Sequence, residues 1–356
     1  MKIEFYPLKV KEVKKETTDA ISILFDVPSE LVPTFKFSSG QYLTLRTQIG
    51  GEEVRRSYSL CSAPFENCWK VAVKEIENGK FSSFANNQLK AGDILEAMPP
   101  LGNFTLHPNN NARKNVYVAF AAGSGITPIL SLVKSVLFDE PESHFILFYG
   151  NKTMDTILFK EELQALKDKY LQRLEIHHIL SRETLSSPLF NGHIDADKLN
   201  KFAKIFFIPS EVSNFYLCGP EEMTLSIRDA LAQLGVASSK IHLELFITNA
   251  AQKIKRNTSQ TKSVQSAITV IQDGNEFKFP LDSSGKNILD AALANGADLP
   301  FACKGGVCCT CKAKLLSGKV SMDVNYSLEE DEVAEGYILT CQSHPTTDEV
   351  LISFDI

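Results

Sequence analysis

Four cysteines near the C-terminus, Cys303, Cys308, Cys311 and Cys341, stand in the pattern C-x4-C-x2-C-x29-C, and no other feature constrains the folding of this chain as strongly. The spacing is that of a [2Fe-2S] cluster site. Such a cluster needs four thiolates around two irons, with backbone N–H groups turned toward the sulfides to stabilise their charge. The run from Cys303 to Cys311 suits that need, because Gly305 and Gly306 remove the Cβ clashes that would stop a tight loop from wrapping an inorganic core. A structural zinc site or a disulfide pair is the alternative. Zinc usually sits between two short paired knuckles, and only one end of this pattern is knuckle-like. Cys309 is a spare thiol in a loop whose neighbours already fill the pattern, so it falls outside the ligand set.

At 356 residues the chain is too long for one ordinary core, which implies two or three domains. Its 44% hydrophobic content is that of a globular protein. No apolar run approaches the roughly 18 residues of a membrane span, and the opening Met1-Lys-Ile-Glu-Phe-Tyr-Pro lacks a charged-then-apolar secretory layout. The expectation is a cytoplasmic protein without membrane association. In that setting eight cysteines favour metal ligation and free thiols over disulfides. The net charge of −6 is unevenly placed: from Ser263 onward there are 14 acidic against 6 basic residues, leaving residues 1–262 at +2. An acidic cluster-bearing segment would steer docking toward a positive partner patch and disfavours nucleic acid. A merely solvated acidic face around Glu329 to Glu332 is the alternative.

The texture of the sequence changes twice. Residues 3–106 read as short alternating segments, such as Ile21 to Val27 and Tyr42 to Arg46, broken by Pro, Gly and Asn turns. That rhythm predicts an antiparallel β-barrel. Beyond Asn109 to Asn111, continuous apolar runs at Val116–Phe120, Phe145–Tyr149 and Phe215–Cys218 alternate with helical patterns, the signature of a parallel sheet covered by helices on both faces. A polar stretch at 250–262, with four bases and no acid, reads as a flexible linker. After it come a hairpin (Ile268 to Ile271 with Phe277 to Phe279), a short helix (Asn287 to Asn295) and the cysteine loop. The expected domains are therefore 1–108, 112–249 and 263–356, with 250–262 as the connection.

In the middle domain, the run from Val116 to Pro128 leads from a strand through Gly123-Ser124-Gly125 into a helix, with Thr127 placed as N-cap and Pro128 as the first helical residue. Exposed N–H groups and the helix dipole at such a turn suit a pyrophosphate. The third glycine of G-x-G-x-x-G is missing, so a standard Rossmann site does not fit. Ser181-Arg182 follows the strand Leu174 to Leu180. A hydroxyl beside a guanidinium there suits the 2′-phosphate of NADP, where an acidic residue would suit NAD; a surface turn with a solvated Arg is the alternative. Cys218-Gly219-Pro220 again ends a strand at the carboxyl edge, so that thiol either faces the same crevice or is plain buried structure.

Arg56-Ser57-Tyr58-Ser59, followed by Leu60-Cys61-Ser62, matches the R-x-Y-S flavin motif of the ferredoxin–NADP reductase superfamily, and Gly79-Lys-Phe-Ser82 resembles its G-x-x-S motif. The chemistry agrees: Arg56 can neutralise a flavin phosphate, Tyr58 can stack on the isoalloxazine, and Ser59 can reach its polar edge. His242-Leu-Glu244-Leu-Phe246 resembles the family's E-x-F ending, in which carboxylate and aromatic lie near the flavin. With Gly123 to Pro128 and Cys218 to Pro220 in the family's order, the resemblance extends over essentially the entire chain.

What the resemblance implies is a multidomain protein: a flavin-binding antiparallel β-barrel, an α/β nucleotide domain and an α+β ferredoxin domain of β-grasp type. It implies FAD, with FMN the less favoured choice, a plant-type [2Fe-2S] cluster on the four cysteines, and NADPH as electron donor. Ser59, Cys218 and Glu244 would be the catalytic residues around the nicotinamide. Reductase first and ferredoxin last is the order of oxygenase reductases in this family, and the stretches 167–173, 179–183 and 189–192 are similar to that group. The implied partner is an oxygenase on separate chains, a di-iron epoxidase complex. An NADH-dependent reductase for another ring-hydroxylating oxygenase or desaturase, or a non-catalytic iron–sulfur carrier or redox sensor, would share much of this pattern.

Overall fold

The computed structural model describes residues 4–107, 114–246 and 263–355. Both the boundary expected at 108–112 and the 250–262 linker lie outside these residues.

The alternating N-terminal segments form an antiparallel barrel of β1 (Tyr6–Thr17), β2 (Ala20–Asp26), β3 (Tyr42–Ile49), β4 (Glu52–Ser59), β5 (Trp69–Lys74) and β6 (Ile94–Ala97), with α1 (Lys80–Asn87) between β5 and β6. The strand order is β4-β3-β6-β1-β2-β5, and a bridge between Leu60 and Val71 joins the two ends. Leu8, Val10, Ile21, Ile23, Leu43, Leu45, Val71 and Val73 point inward and fill the barrel with Phe35 and Phe81, as period-two alternation requires.

The apolar runs of the middle region become a parallel sheet of β7 (Val116–Ala122), β8 (His144–Asn151), β9 (Leu174–Leu180), β10 (Asn214–Gly219) and β11 (Ile241–Leu245), ordered β11-β10-β7-β8-β9. Helices α2 (Ile126–Asp139), α3 (Lys160–Lys169), α4 (Ala196–Ile205) and α5 (Glu221–Gln233) cover it. Alternate strand residues serve opposite faces. Tyr117, Ala119 and Ala121 meet α2 and α3, whereas Val118 and Phe120 meet α4 and α5. The order reverses between β7 and β10, so the crevice that binds ligands in such sheets lies at their carboxyl ends.

One expectation about α2 is corrected. The helix begins at Ile126, with Gly125 as its cap and no side-chain capping bond, so Thr127 is not the N-cap and Pro128 is not the first helical residue. Gly123 to Gly125 already form a 3-10 turn continuous with the helix, and the Thr127 hydroxyl donates back to the Ser124 carbonyl at 3.0 Å. Pro128 is tolerated there because the N–H groups of a first turn have no intrahelical partner.

The C-terminal region holds β12 (Gln265–Gln272), β13 (Asn275–Asp282), α6 (Ile288–Ala294), β14 (Lys312–Ser317), β15 (Val320–Met322), α7 (Glu330–Ala334), β16 (Tyr337–Leu339), β17 (Ser343–Pro345) and β18 (Glu349–Ser353). Five strands form the sheet β13-β12-β18-β14-β16, and β15 pairs with β17. The hairpin and helix fall where the sequence places them. Asn287 caps α6 by accepting from the Asp290 N–H at 2.8 Å, and Ile288, Leu289 and Ala292 are buried in the core beneath it.

Candidate functional site

Strand β4 carries the R-x-Y-S residues to the junction of the first two domains. Arg56 is exposed, while Tyr58 is half-buried and its ring lies 5.3 Å from that of Phe81 on α1. On the other face of the strand the Ser59 hydroxyl donates to Glu244 Oε2 of β11 at 2.9 Å. Burial pushes the Glu244 carboxyl up to about 8, against the lowering effect of the Ser59 bond; a carboxyl in that state is protonated at neutral pH and can hold or release a proton there. Ser62 is buried, donating to the Cys68 carbonyl at 2.7 Å. Gly79 caps α1, and the Ser82 hydroxyl closes onto the Gly79 carbonyl at 3.2 Å.

Cys218 lies beside Glu244, its direct partner in the parallel pairing of β10 with β11. It is fully buried, and burial together with the neighbouring Glu244 charge pushes its thiol well above the ordinary range. Ser59, Cys218 and Glu244 are thus brought together by two domains. Phe246, partly buried, packs near them against the core shared with α2.

The two glycines of the turn after β7 do different work. A Cβ on Gly125 would come within 2.1 Å of the Cys218 carbonyl oxygen, so this glycine lets the two strand ends meet. At Gly123, with φ +54°, a Cβ would meet nothing within 4 Å; its face is open, as approach by a phosphate requires. Ser124 follows in the same turn, Thr127 is buried with its hydroxyl on the Ser124 carbonyl, and Gly219 and Pro220 lead from β10 into α5. Ser181 and Arg182 leave β9 with their N–H groups bonded to the carbonyls of Asn151 and Lys152, and Arg182 is exposed. From β9 to β11 is four strand spacings, about 19 Å.

The four pattern cysteines converge, and all eight cysteines are free of disulfides. The sulfurs of Cys303 and Cys308 lie 3.1 Å apart. The Gly305 N–H points at Cys303 Sγ at 3.3 Å, and Gln342 Nε2 at Cys341 Sγ at 3.4 Å. Hydrogen bonds among these sulfurs push the Cys303 thiol down and those of Cys308 and Cys341 up, as follows from crowding them at one site. Among the described residues no group of three or more His, Cys, Asp or Glu side chains is placed to hold one metal ion; a two-iron core asks for none, since each iron takes two thiolates. Cys309 turns away and donates to the Ser327 carbonyl. The donor set fits a [2Fe-2S] cluster.

Sequence reasoning missed the residues that join the domains. Lys134 of α2 is 4% exposed. It binds Glu66 of the barrel at 3.1 Å, pairs with Glu162 and donates to the Cys61 carbonyl. Burial pushes the Glu162 carboxyl up, but Lys134 and Lys70 outweigh it and hold it below its ordinary value. One turn earlier, Ser131 donates to the Ser62 carbonyl at 2.6 Å. A single cation within an otherwise apolar helix was the available signal. Tyr42, 4% exposed, shares a 3.2 Å hydrogen bond with Thr310 inside the cysteine loop; as a tyrosine on a barrel strand it carried no signal.

Three family models match in succession: an oxidoreductase FAD-binding domain over residues 7–106, an oxidoreductase NAD-binding domain over 120–229 and a 2Fe-2S iron–sulfur cluster binding domain over 270–346. The chain is 45% identical over 351 residues to one component of the 1,2-phenylacetyl-CoA epoxidase of Escherichia coli (strain K12), covering 99% of this chain and 98% of that one. It is 33% identical to the ferredoxin reductase component of the 3-ketosteroid-9-alpha-monooxygenase of Rhodococcus rhodochrous, over 98% and 96% of the two chains. Among solved structures, phthalate dioxygenase reductase superposes with a TM-score of 0.60 at 25% identity, over 98% of each chain.

Proposed function

The chain belongs to the ferredoxin–NADP reductase family, in the group with a C-terminal [2Fe-2S] ferredoxin domain, and from that premise we propose that it is the NADPH-dependent reductase of a phenylacetyl-CoA epoxidase in aerobic phenylacetate degradation. The observation that carries this reading is the 45% identity held over 99% of the chain. The electron acceptor would be a di-iron oxygenase on separate chains. The free state of all eight cysteines suits a cytoplasmic setting.

Bound FAD would take a hydride from the nicotinamide and release electrons singly to the cluster, redox chemistry that belongs to the cofactors. The chain positions and tunes. Arg56 supplies charge to the flavin phosphate, Tyr58 a stacking surface, and Gly79 and Ser82 the turn beside them. Gly123, Ser124, Gly125, Thr127 and Pro128 receive the pyrophosphate, with Gly219 and Pro220 opposite. Ser181 and Arg182 hold the 2′-phosphate, and a span of four strands suits an extended dinucleotide reaching from there to Glu244. Cys218, Ser59, Glu244 and Phe246 line the nicotinamide end, where Glu244 keeps a proton within reach of the Ser59 hydroxyl. Cys303, Cys308, Cys311 and Cys341 hold the cluster. The working parts are 1–108, 112–249 and 263–356, joined through 250–262.

The test is anaerobic reduction of the purified holoprotein by NADPH and by NADH, followed by addition of the reconstituted epoxidase and phenylacetyl-CoA. NADPH should reduce flavin and cluster and sustain epoxide formation. Self-reduction without turnover would remove the epoxidase from the reading, equal rates with NADH would remove the NADPH preference, and FMN in the released flavin would replace FAD.

A further inference from the structure

The outward face of the β3–β4 ribbon touches both other domains. Tyr42 pairs opposite Ser59, Thr44 opposite Ser57, and Arg46 opposite Arg55, and residues directly opposite in an antiparallel pair share a face. Along that face Ser59 reaches Glu244 of the nucleotide domain. Tyr42 and Arg55 reach the ferredoxin domain. The Arg55 guanidinium lies 4.3 Å from the ring centre of Phe301 and 3.6 Å from the Asp298 carboxylate.

Tyr42 is held firmly from the barrel side. Its N–H and C=O both bond to Leu101, at 2.9 and 3.0 Å. Gly102, at φ +122°, leaves room for the ring, since a Cβ there would sit 3.0 Å from it. The ring does not join the barrel core. It forms a separate apolar cluster with Leu101, Ala302, Cys303 and Cys308, while its hydroxyl meets Thr310. One side chain therefore connects the strand pair bearing the flavin motif to two of the four cluster cysteines.

Building on the proposed electron path, we infer that Tyr42 is a positioning residue that seats the cysteine loop on the flavin-bearing ribbon, and that the Arg55–Asp298 contact is its second anchor. Together they set the distance over which an electron passes from barrel to ferredoxin domain. Hydride arrival at the flavin happens on the nucleotide side and does not depend on this seat.

Rapid mixing of the holoprotein with NADPH under anaerobic conditions separates the two steps: flavin bleaching reports hydride arrival, and the electron paramagnetic resonance signal of the reduced cluster reports electron passage. In Tyr42→Phe, cluster reduction should slow by about fivefold, the effect of a lost hydrogen bond. In Tyr42→Ala it should slow by about tenfold or more, as for truncation of a buried interface aromatic. Asp298→Ala should slow the same phase by about twofold, the scale of an exposed ion pair. Flavin bleaching and iron content should stay at wild-type values, and small-angle scattering should report a larger radius of gyration for Tyr42→Ala. Wild-type cluster reduction in Tyr42→Ala, or equal slowing of both phases, overturns the inference. If Tyr42→Ala does not fold, Tyr42→Phe decides by the same criterion. Failure of both NADPH and NADH to bleach the flavin of the wild type would instead overturn the proposed function.

Discussion

The Ser59 hydroxyl donates to the half-buried carboxyl of Glu244 at 2.9 Å, across 185 residues of sequence. This one bond ties strand β4 of the barrel to strand β11 of the nucleotide domain, and it places a titratable proton where the two domains meet.

Desolvation pushes the Glu244 carboxyl up to about 8, so the folded protein binds its proton more tightly than the unfolded chain does. Its contribution to stability is fully present below the ordinary carboxylate value of 4.5 and is lost as pH rises toward 8. Urea unfolding should show wild type losing stability relative to Glu244→Gln between pH 5 and pH 8.5. Flavin reduction by NADPH should fall above about pH 8 in wild type. In Glu244→Gln it should be about a hundredfold slower and flat with pH, the scale of lost general acid–base assistance.

Ser59→Ala removes the hydrogen bond that lowers the Glu244 value. The alkaline limb of the pH profile for flavin reduction should therefore move upward, and an unmoved limb would separate Ser59 from this titration.

Cys341→Ala should abolish the cluster, read as loss of iron and of the reduced-cluster resonance, while NADPH still bleaches the flavin. Cys309→Ala should keep its iron, because the Cys309 thiol is engaged with the Ser327 carbonyl.

Lys134→Met would leave Glu66 without its cation at the domain junction and Glu162 with Lys70 alone, at 3.2 Å. Both carboxylates are partly exposed, so the expected cost is about 2 kcal/mol at pH 7, below the range for a fully buried pair. Because Glu162 is held below its ordinary value, its stabilising share is present above pH 4.5 and disappears as pH falls through its folded value. The difference in urea midpoint between wild type and variant should accordingly shrink toward acid pH.

Arg182→Ala should raise the KM for NADPH by about tenfold, the loss expected of a charge-assisted phosphate contact, and leave the KM for NADH unchanged. Steady-state rates with both nucleotides and an artificial acceptor would measure it.

Much of this architecture is legible in the sequence. Period-two alternation sets the barrel, continuous apolar runs set the parallel sheet, and the cysteine spacing sets the third domain, because each pattern reports which local geometry can bury its apolar residues. The start of α2 departs from expectation for a local reason: Thr and Pro are good opening residues, but the glycine turn before them is already helical in sense and continues into the helix. The candidate groups of the site are legible as well, since Arg56, Tyr58 and the glycine turns lie within short motifs and the four cysteines within the 39 residues from Cys303 to Cys341.

What the sequence by itself determined was the set of domains and the candidate groups each one carries, because these follow from residue type and from the spacing within each motif. Only the tertiary structure decided how the domains are joined. Lys134 and Tyr42 are, locally, a helical lysine and a strand tyrosine. Their roles arise because burial removes water from Lys134 beside two carboxylates of other elements, and because the β3–β4 register turns Tyr42 and Ser59 to the same face, toward two different domains. Desolvation and register are properties of the assembled fold, and no window of sequence contains them.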